Sequence, residues 1–102
     1  MKALVYRGPG KKAWADKDKP AVLKPTDAVV RTVAACVCGS DLWRYRGISP
    51  VPKPTPIGHE FCGVVEEVGS AVTSVKPGDH VIPLYTAECG ECLFCKSGKT
   101  NL

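Results

Sequence analysis

The run Cys89-Gly-Glu-Cys92-Leu-Phe-Cys95 repeats a thiol every third residue, and nothing else in the chain limits its folding as strongly. The backbone there must turn tightly enough to bring three soft donors to one point, and zinc is the first ion that such a set suits. A closed structural zinc site takes four ligands. No fourth cysteine follows before Leu102, so either the last ligand comes from elsewhere or this polypeptide is a piece of something longer.

At 102 residues the chain is long enough for one domain and too short for two. Hydrophobic residues at 44% and charged residues at 24% describe an ordinary globular protein and argue against disorder. No apolar run reaches the length of a membrane span, and the N-terminus lacks the pattern of a secretion signal, so the expectation is a cytoplasmic protein with no membrane partner. The net charge of +4 is modest, and the basic stretch Lys11 to Lys24 is broken by Asp16 and Asp18. It reads as a solvated face, with no nucleic-acid partner. Six cysteines could build a disulfide framework, but without a secretion signal metal ligation is the better reading.

Most of the chain reads as short strands between turns. Lys2 to Tyr6 is an apolar strand stopped by Gly8-Pro9-Gly10; Ala28 to Ala35 is rich in β-branched residues; Phe61 to Val68 is closed by Gly69-Ser70. Lys76-Pro77-Gly78-Asp79 suits a type II turn leading into a strand from His80 to Leu84. Ser40 to Arg46 alone looks helical, with Ser40 as cap, Asp41 at the positive end of the dipole and Gly47 as the stop. Val51 to Pro56 holds three prolines and must be an extended connector. The pattern predicts a mainly β barrel or sandwich.

A second constellation is Cys38 with His59 and Glu60. Cys38 lies where a strand meets the short helix, and His59-Glu60 where the proline-rich connector meets the next strand; such element ends commonly display functional groups. Sulfur, nitrogen and oxygen donors together suit zinc. Taken alone, a cysteine and a distant histidine are more often a buried thiol and an unrelated surface imidazole.

The order Cys38-Gly-Ser-Asp41, Gly58-His-Glu60, Val68-Gly-Ser70, Pro77-Gly-Asp-His-Val81 and the Cys89, Cys92, Cys95 triple resembles the N-terminal region of the zinc-dependent medium-chain alcohol dehydrogenases. The resemblance covers essentially the whole chain; the stretch from Ile82 to Leu102 is most similar to the glutathione-dependent formaldehyde dehydrogenase branch. It implies an incomplete GroES-like β-barrel with a short helix and a zinc-binding lobe at about 86–102, inside which the chain would stop. It also implies a nicotinamide cofactor, NAD(P), held only by a downstream domain absent from this chain, so that the isolated polypeptide would be inactive. A small alcohol or aldehyde would be the substrate and a homo-oligomer the full-length form.

The residue roles follow from the same resemblance. Cys38 and His59 would bind a catalytic zinc, with Glu60 as a nearby or alternative ligand, and Cys89, Cys92 and Cys95 a structural one. Ser40 would hydrogen-bond the substrate oxygen and pass on its proton, and Asp41 would orient His59 through its ring N–H. Many relatives carry a histidine at the place of Trp43; tryptophan cannot shuttle a proton, so Trp43 would line the substrate pocket or pack the short helix.

Other features carry less. Gly8-Pro-Gly-Lys-Lys-Ala13 fits a loose dinucleotide pattern but lacks the apolar helix that must follow. His80 reads as a strand residue, and Cys36 and Cys62 as small buried hydrophobes, although Cys36 is close enough to Cys38 to interfere with metal loading. Two rival functions remain open here: a non-catalytic zinc-stabilised binding module, and an iron–sulfur electron carrier, which would want a Cys-Pro where Lys99-Thr100 stands.

Overall fold

The computed structural model describes residues 1–86 and 88–99. The end of the expected zinc lobe, residues 100–102, and residue 87 lie outside that range. Two three-stranded antiparallel sheets carry the chain: β1 (Lys2–Gly8) lies between β2 (Lys11–Asp16) and β4 (Thr55–Pro56), and β5 (Glu60–Val68) lies between β3 (Ala28–Cys36) and β6 (His80–Val81). Helix α1 (Gly39–Tyr45) follows β3, and a four-residue turn of helix, α2 (Leu93–Lys96), sits in the cysteine-rich lobe.

Each long strand forms where β-branched residues fit a pleated, half-buried surface. Val5 and Tyr6 of β1, Val29 of β3 and Val65 of β5 are the buried apolar side chains of the core among the described residues. Pro56 has no N–H to give a ladder, and it stands in the edge strand of its sheet, where a missing donor is tolerated. Gly78 takes a left-handed φ of +95° and lets the Lys76–Asp79 turn close, with Asp79 N–H donating to the Lys76 carbonyl at 3.1 Å.

Several sequence expectations are corrected. Lys11 to Asp16, read from the sequence only as part of a solvated face, forms a mostly exposed strand, because β1 supplies a hydrogen-bonding edge that outweighs the poor β-propensity of Lys-Lys-Ala-Trp-Ala-Asp. The loose dinucleotide pattern is thereby the turn of a hairpin. The strand expected from His80 to Leu84 ends at Val81, two residues before Pro83. Helix α1 starts one residue earlier than expected, its N-cap is Cys38 and not Ser40, and it ends at Tyr45. Cys36 is exposed and Cys62 half-buried, so neither is a core hydrophobe. On β3 the apolar face toward Cys36 has no covering layer within the described residues.

Helix α1 is tied to the first sheet at its far end. Gly10 N–H donates to the Tyr45 carbonyl at 2.7 Å, the Tyr45 hydroxyl donates to the Gly10 carbonyl at 2.9 Å, and Lys12 Nζ lies 5.2 Å above the Tyr45 ring. The hairpin and the helix therefore hold each other, and an open cleft of about 710 Å³ runs between β1–β2 and β3 beneath the helix.

Gly63 marks the tightest approach between β3 and β5: a Cβ there would run into the Arg31 carbonyl and the Val30 side chain. Gly63→Ala should cost about 2 kcal/mol or more in urea unfolding, the scale of an overpacked core. Gly39→Ala, where added carbon meets open space, should stabilise the protein by about 0.4–1 kcal/mol. Equal midpoints for the two variants would contradict this packing.

Candidate functional site

Cys38, His59 and Glu60 arrive from three local structures. Cys38 follows the end of β3 with extended backbone (φ −82°, ψ 151°) as the cap of α1. His59 comes just after Gly58, whose φ of +123° turns the connector into β5, and Glu60 is the first residue of that strand, in register opposite Cys36. One ligand atom from each of Cys38, His59 and Glu60 lies within 4.8 Å of the others.

Asp41 organises this corner. Its carboxylate is buried, with 6% of the residue exposed. Oδ2 accepts the Cys38 backbone N–H at 3.0 Å, so the helix start is capped from the third helical position back onto Cys38. Oδ1 makes no hydrogen bond and faces His59 Nδ1 at 3.3 Å, within ion-pair range but short of hydrogen-bond alignment. A carboxylate on that side favours the ring proton on Nδ1 and leaves the Nε2 lone pair available. Ser40 Oγ lies 3.4 Å from Nε2. The five residues that motif order singled out thus share one corner: Cys38, Ser40, Asp41, His59 and Glu60.

Glu60 is held on its other side by a residue to which sequence reasoning gave no such part. The Cys36 thiol donates to Glu60 Oε2 at 3.1 Å. That contact first, then the Cys38 thiol, keeps the Glu60 carboxyl below the usual carboxylate range, while Glu60 pushes the Cys36 thiol up. The sequence signal that could have found it is the pairing of the two strand ends.

Beside His59 a cavity of about 450 Å³ is lined by Phe61, Cys62 and the segment from Ile82 to Tyr85. The Tyr85 ring meets the His59 ring edge-on, 6.4 Å between centroids at 65°. Trp43 stands 61% exposed on α1, so it does not pack the helix against a core.

Cys89, Cys92 and Cys95 converge as well, with their sulfurs within 4.8 Å of one another and Cys89 Sγ 4.0 Å from Cys95 Sγ. Gly90 takes a φ of +72°, and the turn it permits aims Cys92 N–H at Cys89 Sγ (3.3 Å) and Cys95 N–H at Cys92 Sγ (3.5 Å). Backbone donors from Glu91 and Cys92 lower the Cys89 thiol to about 7, whereas hydrogen bonding with Cys92 pushes Cys95 up. A thiolate already stabilised by N–H groups is a donor prepared for a soft cation, and these three residues fit zinc chemically. Both donor sets, S₃ and S/N/O, are of the kind zinc accepts.

The alcohol dehydrogenase GroES-like domain family matches residues 24–102. The chain belongs to this family. It is 50% identical over 102 residues to an S-(hydroxymethyl)glutathione dehydrogenase of Escherichia coli O1:K1 / APEC, a match that covers 99% of this chain and 28% of that protein. Among solved structures it resembles the alcohol dehydrogenase TADH from Thermus sp. ATN1, with a TM-score of 0.94 and 38% identity over 99% of this chain and 29% of that one. It also resembles zinc-dependent alcohol dehydrogenase 2 from Streptococcus pneumonia in its apo form, with a TM-score of 0.88 and 44% identity over 96% of this chain and 28% of that one. The chain therefore spans under a third of the length of these relatives, and its fold is their GroES-like domain.

The thiols of the triple should differ in reactivity. In metal-free protein Cys89 should be alkylated by iodoacetamide ahead of Cys95. Its rate should rise through a midpoint near 7 and fall about tenfold between its plateau and pH 6, since only the thiolate reacts. Mass spectrometry of the modified peptides reads the order. Uniform rates with a midpoint near that of a free cysteine, about 8.5, would contradict the geometry.

Proposed function

We propose that this chain is the catalytic-domain portion of a zinc- and NAD(P)-dependent alcohol dehydrogenase that interconverts a small alcohol and its aldehyde by hydride transfer. The observation that carries the reading is the convergence of Cys38, His59 and Glu60 within 4.8 Å beside Ser40 and a mostly apolar cavity. Family membership and the relatives' names support it.

In this reading Cys38 and His59 hold the catalytic zinc with Glu60 as a third or alternating donor, and Cys89, Cys92 and Cys95 hold a structural one. A zinc ion bound by the first set supplies Lewis acidity toward an oxygen of the substrate. The chain's own residues do the rest. Asp41 keeps the His59 proton on Nδ1 and so keeps Nε2 free to donate its lone pair. Ser40 Oγ, exposed beside that nitrogen, would accept the hydroxyl proton of an alcohol as it passes its own proton to solvent water. Ile82, Leu84 and Tyr85 offer apolar surface to the carbon side of the substrate. Trp43 has no proton to relay and would line the approach to the pocket. The nicotinamide cofactor would be held by polypeptide outside these residues, within a full-length, homo-oligomeric cytoplasmic enzyme.

Alcohol-dependent reduction of NAD or NADP, followed at 340 nm in the full-length protein that carries this segment, tests the reading. Cys38→Ser and His59→Ala should lose turnover together with one equivalent of zinc. Ser40→Ala should keep the zinc and lower kcat by about 10²-fold, the scale of one proton-transfer group. The 102-residue chain alone should show no turnover. Wild-type turnover in a Cys38→Ser/His59→Ala double variant would overturn the proposal.

A further inference from the structure

We infer that Cys36 is a positioning residue for the Cys38–His59–Glu60 cluster: its thiol grips one oxygen of Glu60 and fixes the other where a metal ion shared with Cys38 and His59 can use it. The inference rests on the reading of that cluster as a metal site and adds a member to it that the motif order does not contain.

Three independent observations carry it. Cys36 and Glu60 are direct partners in the β3–β5 ladder, so the backbone itself sets their side chains at the same height on the sheet. The Cys36 thiol donates to Glu60 Oε2 at 3.1 Å, a contact between a donor with one proton and an acceptor with two oxygens. Glu60 lies within ligand distance of Cys38 and His59, while Cys36 is outside that group. A carboxylate has about four lone-pair sites, so the Cys36 contact leaves Glu60 lone pairs for a metal ion.

The physical consequence concerns order before binding. A glutamate side chain has three rotatable bonds, and freezing them costs free energy that a weak oxygen ligand would otherwise have to supply at the moment of binding. Held by Cys36 at one oxygen, Glu60 has part of that freedom removed before binding. His59 is prepared in the same way by Asp41, and Cys38 by its place in the helix cap. Outer partners of this kind commonly change metal affinity by about 10- to 100-fold when removed.

The test is zinc titration of the chain in a chelator buffer, read by NMR of the His59 ring. The protein has only two histidines, so His59 reports its own cluster without interference from zinc taken up by Cys89, Cys92 and Cys95. Cys36→Ala should weaken zinc binding at His59 by about tenfold, the low end of that range. Cys36→Ser, which keeps an O–H donor of similar reach, should recover most of the loss. In a Glu60→Ala background Cys36→Ala should have no further effect.

Wild-type affinity in Cys36→Ala would overturn the inference while leaving the metal site standing. A full loss in the Glu60→Ala background would also overturn it, by showing that Cys36 binds the metal itself. Failure of the serine variant to recover binding would reduce Cys36 to a packing residue. His59 signals that do not respond to zinc even in the wild type would remove the metal reading and the inference together.

Discussion

One buried carboxylate organises the functional corner of this protein. Asp41 sits in the first turn of a seven-residue helix, where the dipole favours negative charge, and gives Oδ2 to the Cys38 N–H. Its Oδ1 has no hydrogen bond, and a buried acceptor in that condition costs of order 1–3 kcal/mol unless a donor approaches. His59 Nδ1 is the group that faces it. The helix start, the position of Cys38 and the orientation of the imidazole are thus consequences of a single side chain. Removing His59 would take away the group that faces the buried Oδ1, so the corner is coupled in both directions.

Around this corner the chain covers little of its own apolar surface. Its accessible surface is 7715 Å², against about 5,600 Å² expected for a compact monomer of this mass. The radius of gyration is 15.6 Å, against about 13 Å for a compact domain of this length. Trp14, Val33, Val37, Ile82 and Leu84 are exposed, and the core is confined to a few residues of β1, β3 and β5. What joins the elements is hydrogen bonding: the strand ladders, glycine turns and the Tyr45–Gly10 tie that anchors α1 to the first hairpin. The site lies where these contacts meet, beside a small core.

The long strands were legible because Ala28–Cys36 and Glu60–Val68 are dense in β-branched residues and bounded by turn signals. Strand β2 was not, since Lys-Lys-Ala-Trp-Ala-Asp carries no period and forms only because β1 offers an edge. The helix boundary was misplaced for a similar reason. Serine is the usual N-cap, but here the capping bond is made by Asp41, three residues into the helix, and a cysteine occupies the cap. Cys38 and His59 were found as a pair through the order of the motifs they belong to; the two residues taken alone favoured a buried thiol and a surface imidazole. Cys36 was misread because a small apolar-looking residue at a strand end resembles core, and only the ladder register shows that Glu60 stands across from it. Contacts set by pairing between distant strands are the part of the site that local pattern cannot reach.

In the proposed function Cys38, His59 and Glu60 form one metal-binding unit. Anomalous diffraction at the zinc edge from crystals of zinc-loaded protein tests it most directly. The expected map has a peak bonded to Cys38 Sγ and His59 Nε2, with a Glu60 oxygen in or next to the coordination sphere and Asp41 on the far side of the imidazole. A map with zinc at Cys89, Cys92 and Cys95 and none between Cys38 and His59, at full occupancy of the former, would contradict it.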